Sequence, residues 1–315
     1  MKRMYHCLVT GGAGFIGSHL VDELLRQGYQ VRVLDNLSTG HLHNLAEARP
    51  HIEFIEGDIC DRACLDRAVE GIDYIFHLAA MVSVPESLQK PIEAEMINAV
   101  GTLALLSAAS EAQVKRLIFS STCAVYGDEQ TLPKTETMLP QPKSPYAISK
   151  LTAEHYCLMF NVTTALETVV LRNFNVYGPR QDPSSVYSGV ISIFVDHLSQ
   201  QNRPFIFGDG EQTRDFIYVE DVVKANLVAA ESAGAAGRVF NIGTGRPHSI
   251  NTLFDHLTSL LNVQLSPIYR PERAGDIRHS VGDIRTANRV MGWTWQVPFE
   301  QGLLKLTSQM SVSDR

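Results

Sequence analysis

The chain has 315 residues, 44% of them hydrophobic and 19% charged, and a formal net charge of −7. This composition suits a globular enzyme with a large buried core, and the acidic balance argues against nucleic-acid or anionic-membrane partners, which require basic clusters. No uninterrupted apolar stretch approaches the ~20 residues of a membrane span, no leader pattern precedes the first strand, and the five scattered cysteines lack CxxC spacing, so they read as reduced thiols of a cytoplasmic chain with no metal site implied.

His6–Thr10 is a short apolar run of the kind that forms a buried parallel strand. It leads into Gly11-Gly12-Ala13-Gly14-Phe15-Ile16-Gly17 and then an amphipathic helix carrying Leu20, Val21, Leu24 and Leu25. Strand, glycine turn and helix in this order make a dinucleotide-binding unit. Gly11 permits the tight turn, Gly14 lets backbone approach a pyrophosphate, and Gly17 lets the helix pack on its strand. The first helical N–H groups, around Phe15 and Ile16, are unpaired and face the phosphates with the positive end of the helix dipole. Val31–Leu34 is the second strand, closed by Asp35 and Asn36. Asp35 stands near the spacing at which an acid accepts hydrogen bonds from the adenosine ribose, and its charge repels a 2′-phosphate, favouring NAD over NADP.

Ile52–Ile55, Tyr74–Leu78, Leu117–Ser121 and Thr168–Leu171 continue the strand series. They alternate with helices expected over Asp61–Val69, Ile92–Ala112 and a segment entered through Pro145. The fold class is α/β, a doubly wound parallel sheet with a smaller, discontinuous α/β lobe. Residues 1–175 and 214–244 are assigned to the dinucleotide-binding domain, and 176–213 and 245–315 to the lobe.

Tyr146-Ala-Ile-Ser-Lys150 opens the helix entered through Pro145. A Tyr and a Lys at i and i+4 stand one above the other, with Cβ atoms roughly 6 Å apart. A cation at about 6 Å, in an effective dielectric of about 20, favours a phenolate by roughly 2.8 kcal/mol. Together with the positive charge of an oxidised nicotinamide, Lys150 is expected to bring Tyr146 near operating pH as a general base.

The GxxGxxG spacing resembles the short-chain dehydrogenase/reductase superfamily, and Gly11–Leu20 is similar to its extended, sugar-nucleotide-modifying branch. That resemblance implies further roles along the chain. Asp58 and Ile59, in Gly57-Asp58-Ile59, would sit beside the adenine, and Leu78-Ala79-Ala80 would let backbone approach the cofactor. Asn98 in the NxxGT segment and Phe174 would also line the NAD site. Thr122, ahead of Val125-Tyr126-Gly127, would share a hydrogen bond with the substrate hydroxyl and Tyr146. Ser83 borders the sugar pocket, Asn175 in the Arg172–Arg180 segment contacts the substrate diphosphate, and Val190 lies beside the uracil. Arg214 and Arg273 would bind phosphate and Asp276 the uridine ribose; Ser280 falls where the family places a residue against the hexose C2 substituent.

In this branch the 4,6-dehydratases carry an Asp-Glu pair directly after the position of Thr122, and the UDP-glucuronate decarboxylases a Glu at the second of those places. Here they are Cys123 and Ala124, which counts against both reactions. The resemblance therefore implies NAD-dependent 4-epimerisation of a UDP-hexose, through a 4-keto sugar, by a homodimer. Ser280, small where relatives restricted to UDP-glucose and UDP-galactose carry Tyr, implies that UDP-GlcNAc and UDP-GalNAc are also accepted. A related uronate epimerase, dehydratase or reductase, or a non-catalytic NAD sensor, are the other readings.

Overall fold

The computed structural model describes residues 5–182, 189–272 and 277–313. Its main sheet holds seven parallel strands in the order β10-β6-β5-β4-β1-β2-β3. The first six are β1 (His6–Thr10), β2 (Gln30–Asp35), β3 (Ile52–Glu56), β4 (Tyr74–His77), β5 (Arg116–Thr122) and β6 (Glu167–Asn173). The chain then leaves through β7 (Asn175–Tyr177), β8 (Phe205–Phe207) and β9 (Thr213–Tyr218), returns to the sheet as β10 (Arg238–Ile242), and ends with β11 (Pro247–Ser249), β12 (Ile268–Arg270) and β13 (His279–Ser280). The winding direction reverses between β1 and β4, and the crevice outside the strand C-termini at such a reversal is where open α/β sheets bind ligands.

The first helices in chain order are α1 (Phe15–Arg26), α2 (Arg62–Val69), α3 (Val84–Gln89), α4 (Pro91–Glu95), α5 (Thr102–Glu111) and α6 (Pro145–Thr163). They are followed by α7 (Val190–Ser199), α8 (Val219–Glu231), α9 (Ile250–Leu261), α10 (Arg285–Met291) and α11 (Phe299–Ser313). Leu20, Val21 and Leu24 form the buried stripe of α1, packed with α8 and α10 on one face of the sheet. On the other face, α2, α5 and α6 bury Leu65, Leu105, Leu106 and Ala153. Because both faces are covered, the central strands β1, β4, β5 and β6 are buried along nearly their whole length rather than alternating.

The helix expected over 92–112 is continuous from α4 to α5, but its middle turn, Met96–Gly101, is π-helical. Such single-turn π segments mark functional sites, and this one carries Asn98. The whole helix Pro91–Glu111 has 21 residues and by length and composition could cross a membrane, although its sequence has no uninterrupted apolar run of that length. Half of its most apolar window is buried in the protein, and it packs against α2 and α6. It is a core helix.

In the smaller lobe β9 pairs in parallel with β7 and β13 and antiparallel with β11. The chain therefore enters the small sheet at Asn175, and β9, expected within the 214–244 part of the dinucleotide-binding domain, pairs in the small sheet, while α8 and β10 rejoin the main sheet. Phe194, Phe216, Phe254 and Phe299 fill the lobe's own core.

Candidate active site

The glycine turn has the shape a pyrophosphate needs. Gly11 has φ +70°, and a Cβ on it would stand 2.6 Å from Ala79 N; one on Gly17 would stand 2.1 Å from Gly11 O. Both positions are closed to any side chain. Around Gly14 a Cβ would meet only Gly11 O within 4 Å, at 3.2 Å, so the space over the N-terminus of α1 is open, and no side chain caps that terminus. The residues present fit a dinucleotide. Asp35 is buried; its two oxygens accept from Ala13 N at 2.9 Å and Leu37 N at 2.8 Å, and each keeps a lone pair for a ribose hydroxyl. Asn36 Nδ2 donates to Asp58 at 2.8 Å, and Asp58 also accepts from Cys60 N at 2.8 Å. Ile59 is buried alongside.

α6 starts at Ser144, whose hydroxyl accepts from Ala147 N at 3.2 Å, with Pro145 in its first turn; both are strong helix-start residues. Ser87, which carries no signal in the sequence for this role, accepts from Tyr146 N at 3.1 Å and so fixes where the helix begins. Folding brings Thr122, at the end of β5, to the phenol of Tyr146. Burial pushes that phenol up to about 12, and the Thr122 hydroxyl opposes the rise. Lys150, only 3% exposed, lies with Nζ 4.2 Å from the centre of the Phe119 ring, and burial pulls it down to about 8. Lys150 is not among the groups that lower Tyr146. The protein alone therefore does not bring Tyr146 near neutrality, and the remaining stabilisation of a phenolate has to come from a bound cation.

Asn98 does not face an open crevice. Its amide accepts from Met81 N at 2.8 Å and donates to Met81 O and Ser149 Oγ, both at 3.0 Å. Ser149 in turn donates to Tyr146 O at 2.9 Å. Asn98 thus ties the backbone after Leu78-Ala79-Ala80 to the catalytic helix. Thr102 donates to Asn98 O at 2.6 Å and stands 2.8 Å from His77 Nε2, whose Nδ1 is 2.7 Å from Thr10 Oγ1. Burial takes His77 down to about 3, so it is a neutral link in this chain.

In the smaller lobe, β13 places Ser280 directly opposite Arg214 of β9. Ser280 lies close enough to the Cys123 thiol to hold it down, as does the charge of Arg214, against the rise caused by burial. Thr122, Cys123, Tyr146, Arg214 and Ser280 are thereby drawn into one place. Asp215, wholly buried, fixes this strand: it accepts from Thr244 N, Thr244 Oγ1, Gly245 N and Gly282 N at 2.6–3.1 Å. Asn175 Nδ2 donates to Asp215 O at 3.3 Å, and Val190 opens α7 at the lobe's core. Ser83 uses its hydroxyl to cap α3, accepting from Glu86 N at 2.9 Å. Phe174 is buried with Val125 and Tyr126, its ring filling the place of any side chain at Gly282. Arg273 and Asp276 lie outside the described residues, as do residues 183–188.

Residues 7–243 match the NAD dependent epimerase/dehydratase family. The chain is 39% identical over 311 residues to a putative UDP-glucose 4-epimerase of Methanocaldococcus jannaschii, covering 98% of this chain and 99% of that one. It resembles the crystal structure of Thermotoga maritima UDP-glucose 4-epimerase with UDP-glucose at 42% identity and a TM-score of 0.94, covering 98% and 100% of the two chains. A UDP-N-acetylglucosamine 4-epimerase from Methanobrevibacter ruminantium in complex with UDP-N-acetylmuramic acid is similar at 38% identity and a TM-score of 0.94, covering 99% and 100%. With the glycine cradle, the Tyr146–Lys150 helix and the parallel sheet all in place, the chain belongs to the NAD dependent epimerase/dehydratase family.

Proposed function

We propose that the protein interconverts the C4 epimers of UDP-hexoses, UDP-GlcNAc with UDP-GalNAc and UDP-Glc with UDP-Gal. The observation that carries this reading is the grouping of Tyr146 and Thr122 with Cys123 and Ala124, where no carboxylic acid stands to drive loss of water or of CO₂. NAD, the cofactor of the family, would be held by the glycine turn, Asp35 and Asp58 and would supply reversible hydride transfer at C4 of the sugar. Tyr146 removes the proton from the 4-hydroxyl and gives it back, and Thr122 shares that hydrogen bond. Lys150, as an ammonium ion, adds positive charge beneath the phenolate and binds the nicotinamide ribose. Arg214, with Arg273 and Asp276, holds the UDP moiety by charge-assisted bonds, which reconciles an acidic protein with an anionic ligand. NAD stays bound between turnovers.

The test is product analysis. Purified enzyme incubated with UDP-GlcNAc, and separately with UDP-Glc, is expected to give the C4 epimer by NMR with no change in mass. A product lighter by water or CO₂ overturns the reading.

The exposed apolar residues of α3, α4, the π turn and α6 support a homodimer. Leu88, Ile92, Met96, Val100, Ile148 and Val162 are all exposed, more apolar surface than a helical pair facing water carries, and two copies pairing these helices would cover it as a four-helix bundle. Sedimentation is expected to give twice the chain mass; the mass of a single chain at micromolar concentration overturns the dimer. A cytoplasmic location, proposed from the unpaired cysteines, accords with five free thiols among the described residues.

A further inference from the structure

α6 carries one more ionisable group on its catalytic face. Tyr146, Lys150 and Glu154 follow at intervals of four, so Glu154 stands one turn beyond Lys150 on the same side of the helix. Glu154 is 1% exposed and Arg172 of β6 is 4% exposed. Arg172 Nε donates to the two Glu154 oxygens at 3.0 and 3.2 Å, and Nη2 donates at 2.7 Å. Ser121 Oγ donates to Glu154 Oε1 as well. Ser121 and Arg172 are direct partners across β5 and β6, so two strands clamp one carboxylate from below. Arg172 Nη1 has no acceptor, and the guanidinium carbon lies 4.9 Å from the centre of the Tyr126 ring.

A buried ion pair of this kind is poor evidence for stability, since well-packed apolar residues do as well or better. Nor does the proton transfer above use it. What it does provide is a fixed negative charge in a dry setting, one turn from the lysine on which the reaction depends. We propose that Glu154 is a positioning residue for the catalytic pair: clamped by Arg172 and Ser121, its carboxylate holds Lys150 in the ammonium form. The proposal rests on Tyr146 and Lys150 being the proton-transfer pair.

The other groups around Lys150 do not supply that charge. Burial pulls Lys150 down, while Cys157 and Glu154 oppose it. Burial holds the Cys157 thiol far above its ordinary range, so it is neutral where Lys150 titrates. On β4, His77 is neutral, held down by burial and by Lys150 itself. On β5, Phe119 offers only its ring face. In the protein without its cofactor Tyr146, and Cys123 after β5, are protonated, both pushed up by burial. Arg172 on β6 has the wrong sign and is bound through Glu154. Among the described residues Glu154 is the anion that remains.

Two variants test this. Glu154→Gln removes the charge but leaves Arg172 buried and unpaired, which threatens folding; Glu154→Gln/Arg172→Met removes both charges and keeps the site apolar. A carboxylate about 6 Å away, half-compensated by its arginine, strengthens proton binding by Lys150 about tenfold. Without it Lys150 loses its proton at lower pH. The alkaline limb of the kcat profile is therefore expected to move to lower pH by about one in the double variant, and in the same direction by more in Glu154→Gln, where the Arg172 charge is left uncompensated. The 13Cε titration of Lys150, identified by its loss in Lys150→Arg, is expected to move with it. Glu154→Asp, which keeps the charge, is expected to restore the limb even if it melts earlier. A folded double variant with both the limb and the Lys150 titration at their wild-type positions overturns the proposal and leaves the ion pair a structural role. Tyr146→Phe and Lys150→Met separate the two ideas: wild-type turnover in these would sink the catalytic reading itself, whereas their inactivity beside an unmoved limb sinks only the role of Glu154.

Discussion

A Tyr146→Phe enzyme is expected to fold and take up NAD as the wild type does, and to turn over about 10²–10⁴ times more slowly. The ring stays in place on α6, and Ser87 still holds the helix start through the backbone; only the phenolic O–H is lost. The size of the loss follows from the state of that group. Burial pushes Tyr146 up to about 12, so at neutral pH only about 10⁻⁵ of it is ionised. A bound cation at about 6 Å, such as the oxidised nicotinamide ring of the proposed complex, would lower that value by about 2 in an effective dielectric of about 20. That shift moves the phenol toward the range in which it serves as a base. Turnover numbers, with circular dichroism and cofactor content measured on the same samples, check this. Near wild-type turnover in Tyr146→Phe would remove the phenol from the mechanism.

Ser280→Tyr is expected to divide the substrates. Ser280 is 8% exposed, lies opposite Arg214 across β13 and β9, and reaches the Cys123 thiol next to Thr122. A tyrosine ring at that position is far bulkier than the hydroxyl that now stands beside Cys123. In the proposed pocket this is where the C2 substituent of the hexose lies, so an acetamido group meets the ring while a hydroxyl does not. A steric penalty of about 3 kcal/mol, the upper end of ordinary overpacking, corresponds to roughly 150-fold. kcat/KM for UDP-GlcNAc and UDP-GalNAc is expected to fall by that order, with UDP-Glc and UDP-Gal nearly unaffected. Equal loss on both pairs, or a wild type that ignores N-acetylated sugars, shows that Ser280 does not line the C2 pocket.

What the sequence determined by itself is local. The strand, glycine turn and helix of residues 6–26 form one contiguous unit, and the need for glycine at positions 11 and 17 is written in the chain because backbone passes there at under 3 Å. The i, i+4 spacing of Tyr146 and Lys150 is likewise a property of any helix. The run of buried strands was legible because parallel strands covered on both faces are apolar along their length.

Proximity between distant segments is decided by packing alone. Thr122 reaches Tyr146, and Ser280 reaches Cys123, only because β5, α6 and β13 end at one crevice. The π turn that aims Asn98 at Met81 and Ser149 has no periodicity signal, since inserting one residue in a turn leaves the apolar pattern on either side intact. Glu154 and Arg172 read as ordinary charged residues until the fold removes both from water. The proton affinities of Tyr146 and Lys150 moved apart for the same reason: burial disfavours the charged form of each group, and burial belongs to the tertiary structure rather than to the spacing of residues along a helix.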